Sequence, residues 1–123
     1  MGYITAVRIV AIQVSDQDRA LDFYQHKLGF EKLMDAPLPE TGGRWLVVGL
    51  PGGGASIALL APSEDAAVGV DTGIRLGTGD AAEAHRALAD QGVETSELIS
   101  WPGVPPMFTI QDQDGNRLYL VQE

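Results

Sequence analysis

Two histidines, three tyrosines, seventeen carboxylates and no cysteine are the side chains from which this 123-residue chain could build a chemical site. Without cysteine there is neither a disulfide nor a thiolate metal centre. His26 and His85 both fall in stretches of helical periodicity. His26, between Gln25 and Lys27, reads as solvated, and His85, on an alanine-rich stripe, reads as a packed or edge residue rather than a ligand. No serine–histidine–carboxylate arrangement is present. "PGGGAS" (Pro51–Ser56) is glycine-rich but joins two strand-like segments with no helix after it, so it is a hairpin turn and not a phosphate loop. What remains is a sparse polar set on strand-like segments, Gln13, Ser56, Arg75 and Tyr119, with Trp45, Trp101 and Phe108 able to stack on a planar ligand. Arg75 could meet a ligand anion or form a salt bridge across a sheet. Tyr119 could donate a hydrogen bond or a proton, or be a plain pocket wall.

The elements that must position these residues are legible from patterning. Residues 4–14 are rich in β-branched side chains and read as a buried strand. Asp16 caps a helix with Ala20, Phe23, Tyr24 and Leu28 on one stripe, and Gly29 ends it. Strands follow at Phe30–Met34, Arg44–Leu50 and Ala55–Leu60, with "DAPLPETGG" as a loop. A second series runs from a weak strand at Gly73–Gly77 to a helix capped by Asp80 and ended by Gly92. It continues with an extended Val93–Ile99, a "SWPGVPP" loop, and strands at Met107–Gln111 and Arg117–Gln122.

The two series match by counting. Trp45 and Gly52 lie 16 and 23 residues after Gly29; Phe108 and Gly115 lie 16 and 23 after Gly92. This indicates an internal duplication of a βαβββ module, about 4–61 and about 70–122, within one domain of 1–123. The expected fold is α+β, two tandem modules forming a curved mixed sheet around a cavity. The period exceeds the solenoid range, so paired modules fit better than a stacked array.

The totals exclude several classes. An apolar content of 45% suits one globular core, and no stretch reaches the roughly 18 apolar residues of a transmembrane helix. The apolar start of the chain has Arg8 inside it rather than ahead of it, so it reads as a strand and not a secretion leader, and a cytoplasmic protein is expected. A net charge of −9 argues against nucleic-acid binding. It keeps the surface soluble and could attract a cationic ligand.

"VSDQDRALDFYQHKLGF" with "DQDGNRLYLVQ", on the duplicated module, resembles the vicinal oxygen chelate superfamily of glyoxalase I, extradiol dioxygenases, and fosfomycin- and bleomycin-resistance proteins. The resemblance spans essentially the whole chain and implies a cupped sheet holding one divalent metal on two histidines and one or two glutamates. Carried over residue by residue, the ligand positions are Ile9, Ser56, Gly73 and Tyr119. None is a competent metal ligand at neutral pH. One-residue shifts around Ile9, Gly73 and Tyr119 find no histidine or carboxylate; a slip of two from Gly73 reaches Asp71.

The expectation is a pocket without metal or other cofactor. Strand alternation gives it Ile9, Ala11, Gln13, Ser56, Ala58, Gly73, Arg75 and Tyr119, with Trp45, Trp101 and Phe108 as aromatic contacts. The opposite parity, including Ile12, Val14, Ile57, Leu59, Leu118 and Leu120, should be core. The expected function is metal-free binding of a small molecule, such as an antibiotic or other planar natural product, by a homodimer with no nucleic-acid or membrane partner. The competing expectations are a glyoxalase-like lyase, isomerase or dioxygenase with a non-standard site, and a module whose cavity is vestigial.

Overall fold

The computed structural model describes residues 2–40, 43–64 and 66–123. Positions 41 and 42 of the expected "DAPLPETGG" loop, and 65 of the segment between the two series, lie outside the described residues. The chain divides into two compact units, one up to Ala66 and one from Ala67 to Glu123. Each runs strand–helix–strand–strand–strand, an α+β arrangement around a four-stranded mixed sheet.

The first unit comprises β1 (Ile9–Gln13), α1 (Gln17–His26), β2 (Glu31–Leu38), β3 (Gly43–Gly49) and β4 (Ser56–Leu60), in sheet order β1-β4-β3-β2. β1 lies parallel to β4 with Ile9 opposite Ser56, a pairing that needs a crossover and uses α1 as part of it. The Asp16 side chain caps α1, accepting from the Arg19 N–H at 3.1 Å. The helix packs against β2, β3 and β4 with Ala20 and Tyr24 fully buried, and the core of this unit includes Ile12, Val14, Leu46, Val48, Ile57 and Leu59. Tyr24 stacks edge-on with Phe23 and Phe30, centroids 5.6 and 5.7 Å apart. Each fully buried Val, Leu or Ile of this core contributes about 1.5–3 kcal/mol of transfer free energy.

β3 and β4 pair closely only at Val47–Ala58 and Val48–Ile57. Beyond that the Gln17 side chain bridges them: its Nε2 donates to the carbonyls of Arg44 (2.7 Å) and Leu59 (2.9 Å), and its Oε1 accepts from the Arg44 N–H at 3.1 Å. Arg44 in turn reaches Asp35 (3.0 Å) and Asp18 (2.7 Å), tying α1, β2 and β3 together at the surface.

The second unit comprises β5 (Asp71–Thr78), α2 (Ala81–Asp90), β6 (Glu94–Thr95), β7 (Met107–Gln111) and β8 (Arg117–Gln122), in order β5-β8-β7-β6. Asp80 caps α2, accepting from the Glu83 N–H at 3.0 Å. The Gly92 and Val93 N–H groups close its C-terminus onto the carbonyls of Ala89 (3.0 Å) and Leu88 (3.1 Å), with Gly92 at φ +83. Here the link from strand to helix runs the other way: Gln122 Oε1 accepts from the Ala81 N–H at 3.0 Å. The core is Ala81, Val93, Phe108, Ile110, Leu118 and Leu120.

The "DQDGN" turn is structural. Asn116, fully buried, accepts at Oδ1 from the N–H groups of Gly69 (2.8 Å) and Val70 (3.0 Å) and donates through Nδ2 to Asp112 (3.0 Å). Asp112 accepts from the Asp114 and Asn116 N–H groups, both at 2.9 Å. The turn therefore pins the segment that leads into β5.

Several expectations about element length are corrected. Residues 4–8 are exposed and outside the strand, because β4 offers partners only from Ser56 onward. β2 runs on to Leu38 through Pro37, which an edge strand tolerates because one side of its backbone has no partner. Val93–Ile99 shrinks to a two-residue β6. The core side of the alternation follows the expected parity, with Val10, Ile74 and Leu76 half-buried, but β4 breaks it: Ala58, expected on the open face, is buried with Ile57 and Leu59.

Replacing Asn116 with alanine strands two backbone donors and is expected to lower the unfolding free energy by about 2 kcal/mol, read as a shift of the urea midpoint. An unchanged midpoint would mean the turn is not a latch.

Candidate functional site

In the first unit α1 covers one face of the sheet, and the other face bears an open cleft of about 740 Å³. Its walls include Val7, Ile9, Leu33, Met34, Trp45 and Ser56. Two local features make it. Leu33 is an extra residue between the pairs Lys32–Val48 and Met34–Val47, a β-bulge, and both Leu33 and Met34 line the cleft. Gly49 makes room for that bulge: a Cβ there would sit 2.6 Å from Leu33 Cδ1. Of the residues expected on this face, Ile9, Trp45 and Ser56 line the cleft. Ala11 is exposed but outside it, and Ala58, opposite Ala11, is fully buried. Gln13 lines a separate hollow of about 220 Å³ with Leu38, Arg44 and Leu60.

In the second unit the uncovered sheet face is polar. Tyr119 stands opposite Arg75, and its hydroxyl donates to Asp71 Oδ2 at 2.7 Å. The Arg75 guanidinium lies 4.0 Å over the Tyr119 ring and donates to the Gly73 carbonyl at 2.8 Å. Arg117 approaches Asp71 at 3.6 Å. The Tyr119 hydrogen bond, with smaller help from the Gly73 N–H, Arg117 and Arg75, holds the Asp71 carboxyl below its ordinary pKa. The cluster depends on a bulge. Asp71 pairs with Arg117 and Arg75 with Tyr119, four steps against two, with Gly73 turned to φ +71 between them. Periodicity could not reveal this, although a glycine inside a strand pattern is the usual sign of such a bulge.

Two aromatic expectations separate. Trp101 is exposed in the loop before β7. Phe108 is corrected to the core. It pairs with Leu120 on the helix-facing side, is 1% exposed, and packs edge-on against His85 at 5.0 Å. His85 donates through Nε2 to the Ser96 carbonyl at 2.8 Å. On β7 it is Thr109 that stands opposite Tyr119, so the count that equated Phe108 with Trp45 pairs a residue of the core face with one of the open face.

The donors present do not fit the superfamily's metal. Ile9 and Gly73 carry no donor, Ser56 carries only a hydroxyl, and Tyr119 is hydrogen-bonded to Asp71. Among the described residues no three histidine or carboxylate side chains converge as a metal site.

Because Tyr119 is the chief cause of the lowered Asp71 pKa, Tyr119→Phe is expected to move it up toward the ordinary aspartate value. Carboxyl-carbon NMR titration reads this. The sign also fixes the stability effect. With its folded pKa depressed, Asp71 contributes above its unfolded pKa, and the contribution is lost as pH falls through the folded value. An unmoved Asp71 titration would contradict the hydrogen bond.

Comparison with known proteins agrees with this fold. The family model described as Glyoxalase/Bleomycin resistance protein/Dioxygenase superfamily matches residues 6–120. The crystal structure of TnmS3, an antibiotic binding protein from Streptomyces sp. CB03234, is similar, with a TM-score of 0.88, 31% identity, and 99% of this chain and 98% of that one covered. A superfamily member from Sphaerobacter thermophilus DSM 20745 is similar with a TM-score of 0.84, 36% identity and 98% of both chains covered. The uncharacterized protein YurT of Bacillus subtilis (strain 168) is 29% identical over 126 residues, covering 94% of this chain and 97% of its own. With its duplicated modules matched nearly end to end, the chain belongs to the glyoxalase/bleomycin resistance protein/dioxygenase superfamily.

Proposed function

We propose that this chain is a metal-free binding protein that sequesters a planar, largely apolar small molecule, such as an antibiotic or related natural product. The observation that carries the reading is the cleft of about 740 Å³, walled by Trp45 and aliphatic side chains, with Ile9 and Ser56 where a metal enzyme needs histidine and carboxylate. The likeness to TnmS3, an antibiotic binding protein, supports it.

Ligand stacking on Trp45, with Ile9 beneath and the Ser56 hydroxyl as an orienting group, is the binding mode of this reading. Burying roughly 300 Å² of ligand apolar surface gives about 7.5 kcal/mol before association costs, so the apolar walls alone fall short of micromolar binding, about 8.2 kcal/mol net. Polar contacts must supply the rest. Gly73, Arg75, Tyr119 and Trp101 are proposed separately, as ligand contacts of the second unit by itself. The chain works in the cytoplasm as a homodimer in this reading, with the exposed Tyr3, Ile4 and Val7 as apolar surface for a partner copy. The enzyme alternative, a lyase, isomerase or dioxygenase, would draw on the hydrogen-bonded pair Tyr119 and Asp71.

Tryptophan-fluorescence titration with a panel of planar polycyclic natural products tests the reading. At least one compound is expected to quench Trp45. Trp45→Ala should weaken its binding about tenfold or more, measured by calorimetry. Quenching that survives in Trp45→Phe would move the site out of the cleft. Failure of the whole panel, with stoichiometric uptake of a divalent metal, would favour the enzyme.

A further inference from the structure

We propose that the uncovered sheet face of the second unit carries a carboxylate-binding site, in which the Arg75 guanidinium, laid over the Tyr119 ring, grips the anion and Arg117 assists. This goes beyond the cleft of the first unit and stands on separate observations.

The argument starts from charge. The chain has 17 acidic against 8 basic side chains, and this face sets Arg75 and Arg117 beside Asp71, with Glu123 over Gly77 and Glu94 in the hollow that Arg117 lines, so what matters is which guanidinium is left without a carboxylate. Asp71 is already engaged: Oδ1 accepts from the Gly73 N–H at 3.1 Å and Oδ2 from the Tyr119 hydroxyl at 2.7 Å. Arg117 stands 3.6 Å away, beyond hydrogen-bonding distance. Among the described residues no carboxylate lies within salt-bridge distance of Arg75; its partners are the Gly73 carbonyl and the Tyr119 ring. The alternative of a salt bridge across the sheet therefore falls to Arg117 and not to Arg75.

Geometry favours a planar oxyanion. The guanidinium rests on the Tyr119 ring and one nitrogen is held by the Gly73 carbonyl, so the side chain is preordered while its other donors remain for a ligand. Such a fork matches a carboxylate in bidentate fashion. The residues two before and two after Arg75 are Gly73 and Gly77, which have no side chains to crowd it. The Thr109 side chain shares the face, opposite Tyr119. The nearby competitor is Glu123, whose side chain lies over Gly77.

The test uses the full ¹⁵N-labelled chain at low salt, with benzoate and its uncharged analogue benzamide as probes. Benzoate is expected to shift the Arg75 Nε–H resonance and to bind about tenfold more tightly than benzamide, the value of one charge-assisted contact. Arg75→Gln should abolish the preference. Glu123→Gln and Asp71→Asn, which each remove a competing negative charge, should increase it. Equal binding of the two probes, or a preference that survives Arg75→Gln, would overturn the proposal. A chain that keeps the benzoate preference but binds no planar compound at Trp45 would overturn the cleft reading alone.

Discussion

Parallel pairing of the first and last strands of each unit is the constraint on which the rest depends. β1 lies beside β4 and β5 beside β8, and each pair is reached through a helix that must lie on one face of its sheet. Once α1 and α2 have claimed those faces with Tyr24, Phe30 and Phe108 among the buried aromatics, each sheet has one face left for function. The capping aspartates, Asp16 and Asp80, and the glutamines that tie strand to helix, Gln17 and Gln122, serve this geometry by fixing where each helix begins over its sheet.

The two uncovered faces have diverged in chemistry while keeping the same backbone plan. In the first unit the pair Ile9–Ser56 opens onto an apolar cleft, enlarged by the Leu33 bulge that Gly49 permits. In the second unit the corresponding strands carry Arg75 on Tyr119, with Asp71 and Arg117 alongside. The Tyr119 hydroxyl binds the Asp71 carboxylate from the neighbouring strand.

Much of this was legible in the sequence because helix caps, strand alternation and turn glycines are local signals. Asp16, Asp80, Gly92 and the buried parity of Leu118 and Leu120 follow from residue type and spacing alone. What was not legible came from bulges and phase. Counting from the glycines set Phe108 equivalent to Trp45, yet β7 presents Phe108 to α2, so the residue fills the core. The bulge at Gly73 brings Asp71 under the Tyr119 hydroxyl, and an alternation rule skips such a residue. The Leu33 bulge, likewise, adds a wall to the cleft that no periodicity encodes.

The central claim is that the sheet faces of this superfamily member hold a ligand without a metal. Native mass spectrometry of the full chain, before and after exposure to a panel of divalent ions and then a planar ligand, tests it most directly. The account predicts ligand adducts that form equally well in the presence of a chelator, and no stoichiometric metal adduct. One tightly held metal per chain, required for ligand binding, would contradict it.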